Sequence, residues 1–256
     1  MKKVKFLIIA LFSVCCILLT GCTSDSYINE IVTKKVEYEE NITIYDLEDA
    51  LVEAVSKASP SVIGVEASLG FNSGFGSGVI IKHVASSYTY YVVTNYHVVT
   101  YNDRMCSKIL VYLGDYDETI VANCVEYSKT IDIAILSFRS YRELTCASIG
   151  DSTTYSKGRF AIAIGSPYDL KTFYDSVTIG NVSDPCRQCL DDNNNLNYYI
   201  QHTAAINGGN SGGGLFDLHG NLMGINTWKY AEVDIEGMGF SVPIHIVKEH
   251  FAKYFA

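Results

Sequence analysis

Apolar residues inside this chain come in many short runs, rich in β-branched side chains and tyrosine and broken by glycine and asparagine. Runs of that kind predict strands, and their number predicts an all-β fold. Tyr90-Tyr-Val-Val-Thr-Asn-Tyr-His-Val-Val99 is strand-like. Ile131-Asp-Ile-Ala-Ile-Leu136 is continuously apolar apart from one acid and reads as a buried strand. A hairpin is expected between Cys106 and Cys124, with its turn near Gly114-Asp115. Helical spacing appears in two places. In Tyr45–Ala58, Leu47, Leu51, Ala54 and Val55 form a stripe, Thr43-x-x-Asp46 resembles a capping box, and Pro60 marks the stop. In Pro243–Tyr254, Ile244, Val247, Phe251 and Tyr254 share a face, with Pro243 at a favourable first-turn position. Both predict packing helices.

The first residues follow another pattern. Lys2, Lys3 and Lys5 precede fourteen uncharged residues, Phe6 to Leu19. That run is short for a membrane span and right for a secretory signal. It ends Leu19-Thr20-Gly21-Cys22, which resembles a bacterial lipobox, with cleavage before Cys22 and lipid on its sulfur. The expected organisation is therefore a signal peptide over 1–21, a lipidated cysteine and charge-rich tether over 22–44, and a globular domain over 45–256. The location implied is the extracytoplasmic face of the cell membrane, held by a lipid anchor.

Composition narrows the partners. The 256 residues are 48% hydrophobic, which is ample for one or two compact cores. The formal charge of −9 becomes −12 once the signal leaves, because three lysines go and no acid does. Nucleic acid binding, which needs a basic surface, is not expected. Nothing here indicates an oligomeric state.

Candidate chemistry centres on Asn207-Gly-Gly-Asn-Ser-Gly-Gly-Gly214, where Ser211 stands among five glycines. Glycine permits positive φ and close approach, and successive N–H groups of such a loop can face a negative oxygen. That suits a nucleophilic serine. The alternatives are a plain glycine-rich hairpin or a phosphate loop, the latter disfavoured because the usual lysine is missing. A nucleophile needs a base. Of six histidines, His97 stands out because it lies on the Tyr90–Val99 run, although a core histidine is the simpler reading there. Asp132 is the sole charge in its apolar run and would be costly to bury without strong hydrogen bonds. An imidazole Nδ1–H would suit it, and backbone N–H groups would serve as well.

His97 in Val-Val-Thr-Asn-Tyr-His-Val-Val, Asp132 in Asp-Ile-Ala-Ile-Leu and Ser211 in Ala-Ala-Ile-Asn-Gly-Gly-Asn-Ser-Gly-Gly together resemble trypsin-like serine proteases of the HtrA (Deg) class. Gly74-Phe-Gly-Ser-Gly78, Gly150-Asp-Ser152, Ala163-Ile-Gly-Ser-Pro167, Gly224-Ile-Asn-Thr227 and Gly239-Phe-Ser-Val-Pro243 look like further landmarks of that class, in order. The resemblance covers roughly residues 45 to 256. It implies two six-stranded antiparallel β-barrels, approximately 45–150 and 151–256, with the site between them. It also implies Ser211 as nucleophile, His97 as general base, Asp132 as orienting carboxylate and the Gly209 and Ser211 N–H groups as an oxyanion hole. Ala205 and Ile206 would form an apolar specificity pocket, with Lys229 near its rim. Substrates would be proteins or peptides, and no metal or organic cofactor is implied. Two departures fall just before the nucleophile: Gly208 where many relatives have proline, and Thr203 where many have aspartate. The C-terminal PDZ module common in the class is expected to be absent.

Five cysteines remain after the signal and lipobox: Cys106, Cys124, Cys146, Cys186 and Cys189. Cys106 and Cys124 flank the expected hairpin and could face each other. Cys186-Arg-Gln-Cys189 reads as a small-ring disulfide or two free thiols in a surface loop rather than a zinc site. Two rivals to a protease remain, a non-catalytic protease-fold lipoprotein that binds peptides and a redox or metal lipoprotein centred on Cys186 and Cys189.

Overall fold

A computed structural model of the chain describes residues 44–166, 172–190, 196–227 and 237–255. The expected signal, the Cys22 lipobox, the tether to Thr43, and Lys229 all lie outside those residues.

The N-terminal helix α1 spans Ile44–Ala58 and the strands follow it. The first barrel contains β1 (Val62–Leu69), β2 (Asn72–Val84), β3 (Thr89–Thr94), β6 (Lys108–Leu113), β7 (Glu118–Ser128) and β8 (Ile133–Arg139). Its order, β1-β2-β3-β8-β7-β6, closes because β1 also pairs with β6. A small ribbon of β4 (Thr100–Tyr101) and β5 (Arg104–Met105) follows β3. The second barrel contains β10 (Phe160–Gly165), β11 (Ser176–Leu190), β12 (Leu196–His202), β13 (Gly214–Phe216), β14 (Asn221–Thr227) and β15 (Gly239–Pro243), with β9 (Ser148–Ile149) added in parallel to β14. The order β13-β10-β11-β12-β15-β14 returns on itself through β13–β14 pairing. The fold is thus the trypsin-like pair of six-stranded antiparallel barrels.

Three apolar clusters explain the continuous runs. One fills the first barrel and includes Val92, Ala134 and Leu136. A second fills the other barrel, with Ala161, Ala163, Ile200 and Leu215. The largest joins residues from both barrels, including Val93, Ile133, Ile135, Ile162 and Ile164, and takes in α1 and the C-terminal helix. Successive side chains of a strand point to opposite faces. Ile133 and Ile135 therefore serve the shared core while Ala134 and Leu136 serve the barrel, so no polar face is left over.

The C-terminal helix α2 is shorter than expected, Ile244–His250, and a 3-10 turn at Ala252–Tyr254 completes the stretch. The expected face still holds, since Ile244, Val247, Phe251 and Tyr254 are all in the shared core. The 106–124 hairpin forms, with its turn at Gly114–Asp117. Cys106 and Cys124 are nevertheless not opposite: Ile109 pairs with Ala122 across the hairpin, and Cys124 pairs with Leu136 on the other side. Cys186 and Cys189 lie on β11, a paired strand rather than a loop. All five cysteines are free thiols. Burial raises the thiol pKa of Cys106, Cys124, Cys146 and Cys189, which disfavours the reactive thiolate.

Candidate active site

His97 opens a 3-10 turn, His97–Val99, separated from the end of β3 by Asn95 and Tyr96. Asp132 stands one residue before β8, with φ +56. β3 and β8 are hydrogen-bonded neighbours, Thr94 pairing with Ala134, so their ends bring the two residues together. The Asp132 carbonyl accepts from Tyr96 N–H at 3.1 Å and from Asn95 Nδ2 at 2.9 Å.

The Asp132 side chain is 5% exposed and faces three donors. His97 N–H donates to Oδ1 at 3.1 Å and His97 Nδ1 meets Oδ2 at 2.8 Å. Thr227 Oγ1, at the end of β14, donates to the same Oδ2 at 3.1 Å. These bonds offset the desolvation of a buried carboxylate. An ionised carboxylate can only accept, so Nδ1 carries the hydrogen and Nε2 of the neutral ring is left as a base. The His97 side chain remains 45% exposed.

Ser211 is 5% exposed and lies with His97 on the wall of a cavity of about 300 Å³, together with Gly208, Gly209, Phe75, Val98 and Cys106. Among the described residues no hydrogen bond joins Ser211 Oγ to His97, a looseness common before substrate binds.

The loop around Ser211 is strapped from the first barrel by Ser77. Ser77 Oγ donates to the Gly209 carbonyl at 2.8 Å and accepts from Ser166 N–H at 2.9 Å, while Ser77 N–H donates to the Ser211 carbonyl at 2.8 Å. Gly212 follows with φ +85, and a Cβ there would stand 2.1 Å from the Ser77 carbonyl oxygen. Only glycine fits. Gly209 also takes positive φ, +101. The amides of Asn210, Gly212 and Gly213 are spent within the protein. Those of Gly209 and Ser211 have no partner among the described residues, which leaves two N–H groups for an incoming oxygen.

The remaining expected residues are placed as follows. Ala205 is exposed and its carbonyl accepts from Thr178 Oγ1 at 2.8 Å. Ile206 is half-buried against the second barrel's core. Neither lines the cavity that holds His97 and Ser211. Ser77, Asn95 and Thr227 were not picked out individually from the sequence. Ser77 and Thr227 fall inside two of the recognised landmark stretches, but their partners are far away in sequence.

Residues 76–225 match the trypsin-like peptidase domain family. That is more than half of the chain, and the chain belongs to this family. Among curated proteins it is similar to the serine protease Do-like HtrA of Lactobacillus helveticus, 36% identical over 66% of this chain and 40% of the relative. It is also similar to the periplasmic serine endoprotease DegP of Escherichia coli K12, 39% identical over 68% of this chain and 34% of the relative. Among solved structures it resembles the HtrA-type protease AlgW with tripeptide, with a TM-score of 0.67 and 31% identity over 80% of this chain and 63% of that one. The chain thus spans well under half the length of these curated relatives.

Proposed function

We propose that the chain is a serine endopeptidase of HtrA type that hydrolyses peptide bonds through Ser211, His97 and Asp132. The observation that carries this is the 2.8 Å contact of His97 Nδ1 with a buried Asp132 carboxylate, beside a cleft that also holds Ser211. Ser211 Oγ attacks the scissile carbonyl while His97 Nε2 takes its proton. The Gly209 and Ser211 N–H groups receive the developing oxyanion, and His97 then protonates the leaving amine. The acyl-enzyme is hydrolysed by water through the same base. Protein or peptide substrates fit the names of the relatives. The sequence around Ala205 and Ile206 favours an aliphatic residue on the acyl side of the cut, although neither side chain lines the cavity that holds Ser211.

The N-terminal pattern supports attachment to the outer face of a bacterial membrane through lipid on Cys22. The catalytic reading is tested with a fluorophosphonate probe and a peptide-library digest. The expected result is labelling and cleavage by the wild-type chain, with Ser211→Ala or His97→Ala lowering turnover by roughly 10⁴-fold or more. A folded wild-type chain that neither labels nor cleaves would support the peptide-binding alternative.

A further inference from the structure

His202 is a histidine the triad does not use, and it is fully buried inside the second barrel. It lies on β12 and faces inward beside Ile200, among the apolar residues that fill that barrel. Polar groups in such a place are costly unless they bond to something. Here they form a chain that ends on the loop carrying Ser211.

His202 Nε2 meets Ser241 Oγ at 3.0 Å, and Ser241 Oγ donates to Asn226 Oδ1 at 2.9 Å. Asn226 Nδ2 then donates to the Gly214 carbonyl at 2.9 Å. The backbone of Asn226 adds two further bonds, accepting from Gly212 N–H at 2.9 Å and donating to the Gly213 carbonyl at 2.8 Å. One asparagine therefore holds the three glycines that follow Ser211, and those glycines have no side chains of their own to hold them. Its neighbour Thr227 bonds Asp132.

The direction of the chain follows from counting hydrogens. Burial pushes the His202 pKa down to about 4, so the ring is neutral near pH 7 and carries one hydrogen. The Ser241 hydrogen goes to Asn226, which assigns the imidazole hydrogen to Nε2, pointing at Ser241, and leaves the buried Nδ1 without a hydrogen-bond partner among the described residues. That donor fixes the Ser241 rotor. The rotor in turn fixes which end of the Asn226 amide faces Gly214. A flipped amide would set Oδ1 against the Gly214 carbonyl, oxygen to oxygen. Gly239, paired with His202 across β15, leaves the room the ring needs: a Cβ there would stand 2.4 Å from His202 Cε1.

We propose that His202 is a positioning residue for the nucleophile loop, acting through Ser241 and Asn226 to hold the Gly212–Gly214 limb on which Ser211 depends. The inference rests on the serine peptidase reading above.

The test compares His202→Leu, His202→Gln, Ser241→Ala and the Ser241→Ala/His202→Leu double variant. Glutamine can place an amide N–H where Nε2–H stood, and leucine cannot. Expected for His202→Leu is a kcat and a fluorophosphonate labelling rate lower by about 10-fold with KM little changed, equivalent to one lost bond in the network. His202→Gln should recover most of that loss. Ser241→Ala should match His202→Leu, and the double variant should be no worse than either, as members of one chain are non-additive. Amide hydrogen exchange at Gly212 should rise in the leucine variant and not in the glutamine one, a readout independent of catalysis. Glutamine and leucine variants equal in rate and exchange, unchanged kcat, or additive losses would overturn the inference. A wild-type chain without activity would instead sink the peptidase reading, with the Gly212 exchange still deciding on His202. Should His202→Leu not fold, Ser241→Ala alone carries the rate and exchange comparison.

Discussion

Three donors converge on the Asp132 carboxylate, and they do different work. The His97 backbone N–H holds the two chain segments together, Nδ1–H sets the tautomer, and Thr227 Oγ1 takes up remaining capacity on Oδ2. Thr227→Val keeps the shape and removes that donor. A hydrogen bond to a charged group contributes about 1.5–3 kcal/mol, so kcat/KM is expected to fall roughly 10- to 100-fold with an unchanged circular dichroism spectrum. A rate within twofold of wild type would mean the bond is dispensable. His202 gives a second measurement. Its pKa is about 4 in the fold against 6.5 for a free imidazole, because burial disfavours the cation. Above pH 6.5 neither folded nor unfolded chain binds this proton, and the contribution is fully present. Between those values only the unfolded chain binds it, so stability is lost as pH falls toward 4, by about 3 kcal/mol in total. Urea midpoints at pH 7 and 4.5 should differ less in His202→Gln than in wild type.

Glycine-rich loops are costly to order, and this one is ordered by neighbours rather than by its own residues. Gly208 lacks the restraint a proline would supply. Ser77 on β2 supplies one from outside, bonding the Gly209 carbonyl through its side chain and the Ser211 carbonyl through its backbone. Ser77→Ala would leave a buried carbonyl and the Ser166 N–H without their partner. The expected cost is about 1–3 kcal/mol of stability, together with a drop in kcat larger than any change in KM. Thermal unfolding alongside kinetics checks this, and an unaffected kcat would show that the loop holds itself. The same strap joins β2 of one barrel to the nucleophile loop of the other. Gly212 carries the geometric consequence, since its missing Cβ is what allows the Ser77 carbonyl to approach.

The two barrels share their largest core, in which α1 and α2 also take part. The site lies where segments of both barrels meet. His97 and Asp132 come from the first and Ser211 and Thr227 from the second, so the proposed chemistry needs both halves correctly docked. Under the proposed lipid anchor, the acidic balance of the sequence would keep the domain clear of an anionic lipid surface. Cys22→Ala is expected to abolish incorporation of radiolabelled palmitate and to move the protein from the membrane to the soluble fraction. Palmitate uptake by Cys22→Ala would refute the lipobox reading.

Much of this molecule is legible before folding. Short β-branched runs, the doubly buried stretch at 131–136, both helical stripes and the glycine-flanked serine all reflect local periodicity, which a chain carries along its length. The residue types needed for the proposed chemistry are visible for the same reason, and the family resemblance adds their order. Convergence is another matter. Ser77 and Gly209 lie 132 positions apart and Thr227 and Asp132 lie 95 apart, and no local pattern encodes contacts over such distances. The Gly209 and Ser211 amides without partners among the described residues, the third donor on Asp132 and the His202–Ser241–Asn226 chain exist only after barrel closure sets the register. Cys106 and Cys124 make the converse case: they flank a hairpin in sequence, yet its register puts neither opposite the other. Strand pairing, a tertiary choice made by the packing of whole barrels, sets which side chains meet.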